Sequence, residues 1–167
     1  MKLRSKPQSL SRQDVEEILI ERNFYDVSKN PDGKGMRHSY KVDNINGDKI
    51  VIDKSTHLMW QQEGTKDTVS FTKAKSIIQN MNKRGFAGHS DWRMPTLEEA
   101  MSVLERDSKA SAFHIDEVFN TTQDLIWTCD PIQDEAGEWA VNYFNGGYYY
   151  GIFHDDAGFY VRAVRSL

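Results

Sequence analysis

The sequence predicts a mixed α+β fold. Amphipathic helical patterns occur in the first two thirds of the chain, and short runs rich in β-branched and aromatic residues dominate the last third. Helices that come early and strands that come late are typical of α+β domains. With 167 residues, the chain has the size of one domain and can bury a sizeable core.

Three helices are predicted, each from a start signal and an apolar stripe. Ser11 followed by Asp14 fits an N-cap, and Thr96 with Glu99 fits a capping box. The second helix should stop at Gly85, because glycine best tolerates the left-handed conformation that ends a helix. The stripes are Val15, Ile18 and Leu19; Phe71, Ala74, Ile77, Ile78 and Met81; and Leu97, Ala100, Met101 and Leu104.

The remaining pattern predicts antiparallel strands. The segment "DKIVIDKSTHLMWQQ" contains two extended runs around a polar turn at residues 54–56. The segments "LIWTC", "EWAVNYF", "GGYYYGIF" and "FYVRAVR" are further strand candidates because they are rich in β-branched and aromatic residues. Between them lie "DPIQDEAGE", "NGG" and "HDDAG", whose compositions are typical of hairpin turns.

Residues 24–47 are polar and rich in glycine and asparagine, which predicts a long loop or linker. We therefore divide the chain into an N-terminal helix and polar linker (1–47) and a main domain (48–167).

Composition narrows the possible partners. A net charge of −4 argues against nucleic acid and other polyanions. The longest apolar runs are too short to cross a membrane, and the N-terminus lacks the apolar core of a signal peptide. As written, the chain is predicted to be cytoplasmic, although a mature exported protein or a part of a larger chain would have the same features.

Few residues are arranged for catalysis or for metal binding. The single cysteine, Cys129, excludes an internal disulfide and a multi-cysteine metal site, and the five histidines lack the pairing of a transition-metal site. At the end of an apolar strand, Cys129 fits a small core residue better than a nucleophile. The "GHSD" segment has no nucleophile elbow around its serine, so we expect no enzymatic activity.

Three sequence blocks resemble the Lcl C-terminal domain family, which is named after the C-terminal domain of a bacterial collagen-like adhesin. The blocks are "VIDKSTHLMW", "DWRMPTLEE" and "YVRAVR", and the resemblance covers about residues 48–167. His57 replaces the usual glycine, and Ala163 replaces a frequent cysteine, which implies that a disulfide of exported relatives is not made here. The matching structural positions are Asp53, Trp60, Asp91, Trp92, Arg93, Pro95, Thr96, Glu99, Arg162 and Arg165.

The resemblance implies a C-type-lectin-like fold in the variant shared with formylglycine-generating enzymes. We expect two main helices and short antiparallel strands, with an additional N-terminal helix in this chain. Trp92 should fill the core beneath the second and third helices, and Arg93 should bind backbone carbonyls or a carboxylate. The enzymes of this fold depend on a pair of cysteines, whereas this chain has one.

The aromatic C-terminal region is the predicted ligand surface. Alternation along a strand places Tyr148 and Tyr150 on one face and Tyr149 on the other. Tyrosine beside asparagine suits both sugar stacking and protein contacts. The predicted site consists of Asn142, Asn145, Tyr148, Tyr150, His154 and Asp155.

Two classes of function follow from these observations. The first is a non-catalytic module that binds a carbohydrate or another surface ligand. The second is a protein-interaction or assembly module, in which the first helix and the polar loop dock a partner or another subunit. A formylglycine-generating-type enzyme ranks third.

No cofactor is expected, although calcium stays open as an additional ligand. Oxygen ligands for this hard cation could come from acidic turns, either at Asp155 and Asp156 or at Asp130 and Asp134.

Overall fold

The computed structural model describes residues 2–106, 112–149 and 158–167, and within them the fold is α+β, as predicted. Three α-helices and seven strands form there, and the strands make two antiparallel sheets of order β1-β2-β3-β7 and β4-β5-β6. The helices are α1 (Arg12–Glu21), α2 (Phe71–Arg84) and α3 (Leu97–Ser102). The strands are β1 (Tyr40–Ile45), β2 (Asp48–Asp53), β3 (Leu58–Gln61), β4 (Leu125–Pro131), β5 (Glu138–Asn142), β6 (Gly147–Tyr149) and β7 (Val164–Ser166).

The helix ends follow the local signals in the sequence. Ser11 caps α1 in a capping box with Asp14, and Thr96 with Glu99 makes the same arrangement at α3. Gly85 ends α2 with a φ of 70°. The third helix is shorter than its apolar stripe predicts, because it ends at Ser102 and leaves Leu104 buried just beyond it.

The prediction of a loop over residues 24–47 is wrong for its last part. Tyr40–Ile45 form β1, which pairs with β2 through a turn at Asn46 and Gly47. Both turn residues have positive φ angles, 54° and 92°, as a two-residue type I′ hairpin requires. The polar composition misled the prediction because β1 has a largely exposed position at the edge of its sheet.

The C-terminal strand is also shorter than predicted. The pattern "FYVRAVR" led us to expect one continuous strand, but β7 begins only at Val164. Phe159 and Tyr160 form isolated bridges with Val69 and Ile126 instead. Of the predicted strand "GGYYYGIF", Gly147–Tyr149 form β6, Gly146 belongs to the preceding turn, and residues 150–153 lie outside the described residues.

The four-stranded sheet separates two apolar clusters. Val51, Trp60 and Val164 belong to the first cluster, whereas their neighbours Ile50 and Met59 belong to the second, as strand alternation requires. The first cluster also takes in side chains from the N-terminal part of the chain, namely Leu3, Leu10, Val15, Leu19, Phe24 and Tyr25. Residues on both sides of position 47 therefore share one core.

Of the tandem Trp92 and Arg93, Arg93 binds a carboxylate as predicted, whereas Trp92 is buried as predicted but packs mainly against one of the two expected helices. Trp92 is buried in the second cluster with apolar residues of α2, and its Nε1 donates to the Phe86 carbonyl at 2.9 Å. Arg93 donates to both carboxylate oxygens of Glu99, each at 2.6 Å. The apolar residues of α3 belong to the first cluster, so Trp92 packs mainly with α2 rather than beneath both helices.

Candidate functional site: a cleft between the first helix and the β5–β6 hairpin

A surface cleft of about 460 Å³ lies between α1, the turn that follows it and the β5–β6 hairpin. It brings together three predicted site residues, Asn142, Asn145 and Tyr148. The other three predicted residues, at positions 150, 154 and 155, lie outside the described part of the chain. The remaining lining residues are Arg12, Glu16, Asp26, Val27, Ser28, Lys29, Gly147 and Tyr149.

The turn of the β5–β6 hairpin is held in place on both sides. Within the turn, the Asn145 amide donates to Asn142 Oδ1 at 2.8 Å. The Gly146 carbonyl accepts a hydrogen bond from the Val27 amide, also at 2.8 Å, which fastens the hairpin to the turn after α1. Gly146 has a φ of 72°, and a Cβ there would lie 2.6 Å from the His114 ring. A larger residue would therefore displace this turn of the hairpin, which forms one wall of the cleft.

Asp26 organises the floor of the cleft, and the sequence analysis missed it. Its buried carboxylate accepts the amides of Ser28 and Lys29 through Oδ1, at 2.9 and 2.8 Å. Its Oδ2 accepts the Tyr148 amide at 3.1 Å, across 122 positions of sequence. The local part of this pattern, an aspartate that binds the amides two and three residues on, is a common turn signal in "DVSK".

Charges of both signs line the cleft. Lys29 Nζ lies 2.9 Å from Glu16 Oε1, and both side chains are about half exposed. The hydrogen bond to Glu16 is the main cause that raises the pKa of Lys29 above its usual value. Arg12 lies on the same wall and approaches Glu135 at 3.6 Å. The cleft is therefore not a basic groove of the kind that binds polyanions.

The two described tyrosines of β6 differ in their surroundings. The Tyr148 ring packs edge-on against buried Trp139, with centroids 5.7 Å apart, so part of it belongs to the core. Tyr149 is 47% exposed and makes an edge contact with Phe159 at 6.1 Å. Tyr149 thus offers more exposed aromatic surface than Tyr148, although the prediction omitted it because alternation placed it on the opposite face of the strand.

Asp130, one of the residues considered for calcium, is fully buried and already bound by protein donors. The Arg4 guanidinium donates to both of its carboxylate oxygens, at 2.8 and 2.6 Å. The amides of Gln8 and Leu97 also donate to it, at 2.8 and 2.7 Å. This carboxylate joins the N-terminal segment to the first turn of α3, and its oxygens face hydrogen-bond donors rather than open space.

In the described ranges, no group of three or more His, Cys, Asp or Glu side chains is placed to hold a metal ion. Asp134 occupies a turn with a φ of 61°, while Asp155 and Asp156 belong to the undescribed segment.

Among the described residues, one buried histidine–carboxylate pair resembles the acid–base groups of enzymes. His38 Nδ1 lies 2.8 Å from Asp53 Oδ2, and its Nε2 lies 2.8 Å from the Ser102 carbonyl. Burial would raise the pKa of Asp53, but hydrogen bonds from His38 and Thr56 outweigh it and lower that pKa. Both side chains are almost fully buried, and their hydrogen bonds tie the segment before β1 to α3 and β2.

Cys129 is a free, partly buried thiol. Burial is the main cause that raises its pKa, to about 12, and the nearby Asp130 carboxylate adds to it. A thiol with such a pKa stays protonated at neutral pH and is a poor nucleophile.

The helices of the described chain include none that is both long and apolar enough to span a bilayer.

Comparison with known proteins identifies the family of this chain. The family described as "Lcl C-terminal domain" matches residues 49–165, which is well over half of the sequence. No curated protein and no solved structure matches the chain significantly. The matched range contains all three motif blocks from which the resemblance was predicted. The chain therefore belongs to the Lcl C-terminal domain family.

Proposed function

We propose that this protein is a non-catalytic carbohydrate-binding module whose ligand lies in the cleft between α1 and the β5–β6 hairpin. The observation that carries the proposal is the composition of this cleft. It combines the exposed ring of Tyr149, the amides of Asn142 and Asn145, and the Lys29–Glu16 pair. Aromatic rings stack on the apolar faces of sugars, and amide and charged groups exchange hydrogen bonds with hydroxyls.

The charges of the cleft favour a neutral or weakly charged sugar. Sulfated glycans need a basic surface, whereas Glu16 and Asp26 line this cleft together with Arg12 and Lys29. Asp26 is occupied by three backbone amides, so it supports the floor. The Asn142 side chain accepts the Asn145 amide through Oδ1, so its NH₂ group is the donor that it offers to a sugar oxygen.

The finer architecture that we propose is the C-type-lectin-like fold expected for this family. Two features support it: the C-terminal strand β7 pairs with β3 inside the main sheet, and a second small sheet carries the ligand cleft. We propose no cofactor for binding.

A second candidate function is self-association or binding of another protein. Its supporting observation is the exposure of two apolar side chains, Ile20 on α1 at 61% and Val27 in the cleft lining at 46%. Exposed apolar residues are enriched at interaction surfaces. The first helix would then provide the contact, in place of a sugar in the cleft.

A glycan-array screen with three proteins separates these functions. The wild type, Tyr149→Ala and Phe144→Ala are screened with calcium and with chelator. Phe144 is the matched control, because it is an equally exposed aromatic residue, at 51%, in the same hairpin but outside the cleft lining. We expect sugar binding by the wild type and Phe144→Ala and its loss in Tyr149→Ala.

An array on which the folded wild type binds nothing would contradict the carbohydrate proposal. Light scattering after size exclusion then tests the second function. A dimer that Ile20→Glu converts to a monomer would support assembly through α1.

A further inference from the structure

Three polar side chains project from one face of the four-stranded sheet into the first apolar cluster. Trp60 on β3 lies directly opposite Val164 on β7, and Arg162 is two residues before Val164 on the same face. Tyr40 on β1 shares this face. Val51 on β2 lies opposite Trp60 and also opposite Val42, which is two residues after Tyr40 and so points to the same side of β1. The register therefore puts Trp60 and Tyr40 on the same face of the sheet, and Arg162, which precedes β7, joins them through a shared contact with Phe119.

The ring of Phe119 covers these groups. Its centroid lies 5.0 Å from the Arg162 guanidinium carbon, 5.4 Å from the Tyr40 ring and 6.2 Å from the Trp60 ring. Both aromatic contacts are edge-on, with interplanar angles of 84° and 85°. Trp60, Arg162 and Phe119 are almost fully buried, so the polar groups are enclosed.

Several donors of this cluster have no partner among the described residues. Arg162 uses only Nη2, which donates to the Asn120 carbonyl and to Gln123 Oε1. Its Nε and Nη1 are buried and unpaired, and so are Trp60 Nε1 and Tyr40 Oη. Buried polar groups in native proteins are almost always hydrogen-bonded, so four unpaired groups around one ring call for an explanation.

The cluster also carries a charge, the Arg162 guanidinium, that has no ion-pair partner among the described residues. None of the described carboxylates forms an ion pair with Arg162, and Asp53 on β2 is already bound by His38 and Thr56. Burial lowers the pKa of Arg162 to about 10, which still leaves the guanidinium charged at neutral pH. A buried charge of this kind is normally paired, because desolvation without a counter-charge is costly.

We propose that Arg162, Trp60 and Tyr40 form an internal binding site for one small inorganic anion of halide size. The unpaired guanidinium, indole and phenol hydrogens are all donors, which is the complement of an anion. The enclosure by Phe119 and the sheet excludes a large ligand, and the apolar surroundings strengthen the attraction between the anion and Arg162. Water would satisfy the hydrogen bonds but would leave the charge unbalanced. The site shares no residue with the cleft, so it stands independently of the proposed carbohydrate binding.

The test measures how the stability of the folded protein changes with bromide concentration. Urea unfolding of the full chain is followed at constant ionic strength while bromide replaces gluconate, an anion too large for the site. At ten times its dissociation constant, bromide should shift the folding equilibrium about 11-fold toward the folded state. Crystals grown with bromide should show an anomalous peak within hydrogen-bond distance of the Arg162 guanidinium.

Matched variants assign the effect to these donors. Tyr40→Phe removes one donor and keeps the ring, and Trp60→Phe removes one donor and leaves a smaller aromatic ring. Each variant should raise the bromide concentration needed for half of the stabilisation by about tenfold or more. Arg165→Met is the control, because Arg165 is an arginine of the same segment that is already paired with Asp91. It should keep the wild-type response. Stability that is independent of bromide, together with water or only surface ions in the crystals, would overturn the proposal.

Discussion

Replacement of Asp130 by asparagine tests a fully buried carboxylate that is paired with an arginine. Asp130 is fully buried and accepts two hydrogen bonds from Arg4 and one each from the amides of Gln8 and Leu97. Asparagine keeps the shape of the side chain but removes the charge and turns one acceptor into a donor. The Arg4 guanidinium loses its bidentate partner, and one of the two backbone amides faces an NH₂ group.

The expected loss of folding stability in Asp130→Asn follows from the burial of the ion pair. Removing one member of a buried ion pair costs about 3–5 kcal/mol, since the remaining charge is left without compensation. The Arg4 side chain is 19% exposed and can reach solvent in part, so we expect a loss near the lower end, about 3 kcal/mol. Asp91→Asn is the matched control, because Asp91 also binds an arginine through both oxygens, but its side chain is 59% exposed. An exposed pair contributes about 0–1 kcal/mol.

Urea denaturation measures both variants. With a slope of about 2 kcal/mol per molar urea, Asp130→Asn should lower the unfolding midpoint by about 1.5 M, and Asp91→Asn by less than about 0.5 M. The slope itself should stay unchanged, because both variants unfold the same chain. Equal midpoints for the two variants would refute the argument that burial sets the value of these pairs.

Three further predictions concern single residues. The pKa of Asp53 is lowered below its usual value of 3.8, so its carboxylate stabilises the fold above that pH, and this stabilisation is lost as the pH falls through the folded pKa. In urea titrations, Asp53→Asn should therefore lose less stability than the wild type between about pH 5 and 3, and equal losses would contradict this. The pKa of Cys129 is raised from 9.0 to about 12, so its thiolate fraction at pH 8 should be about 10³-fold below that of an ordinary thiol. The rate of reaction with a disulfide reagent should fall with it, and a rate typical of an exposed cysteine would show that the thiol is accessible and ionised. Gly47 has a φ of 92°, and no atom lies within 4 Å of the position that a Cβ would take, so Gly47→Ala should cost about 1–2 kcal/mol through backbone strain alone; an unchanged urea midpoint would count against a type I′ turn there.

Local signals in the sequence predicted local structure. Each helix begins where a side chain caps the backbone three residues on, and each of these capping bonds is local in sequence. The turn at Asn46 and Gly47 carries an equally local hairpin signal, but the polar composition around it was given more weight. The family was predicted from the identity of residues such as Trp92 and Arg93 rather than from their contacts, which extend from the nearby Phe86 and Glu99 to Val164.

The candidate site was only partly predictable, because its supports come from distant parts of the chain. Asp26 binds Tyr148 across 122 positions, and Asp130 binds Arg4 across 126. No periodicity or spacing in one sequence reports such partners. The exposure of Tyr149 depends on the packing of Tyr148 against Trp139, which strand alternation cannot decide by itself.

The N-terminal part of the chain connects the structural argument with the functional one. The family match begins at residue 49, yet one wall of the cleft comes from α1 and the turn at residues 26–29. The same N-terminal part supplies Arg4 to Asp130 and six side chains to the first apolar cluster. Because Asp26 and Val27 also hold the β5–β6 hairpin, a change in this part would alter both the shape and the charge of the cleft. If the cleft binds the ligand, its specificity depends on residues outside the range that defines the family, and relatives that share only the three motif blocks need not share the ligand.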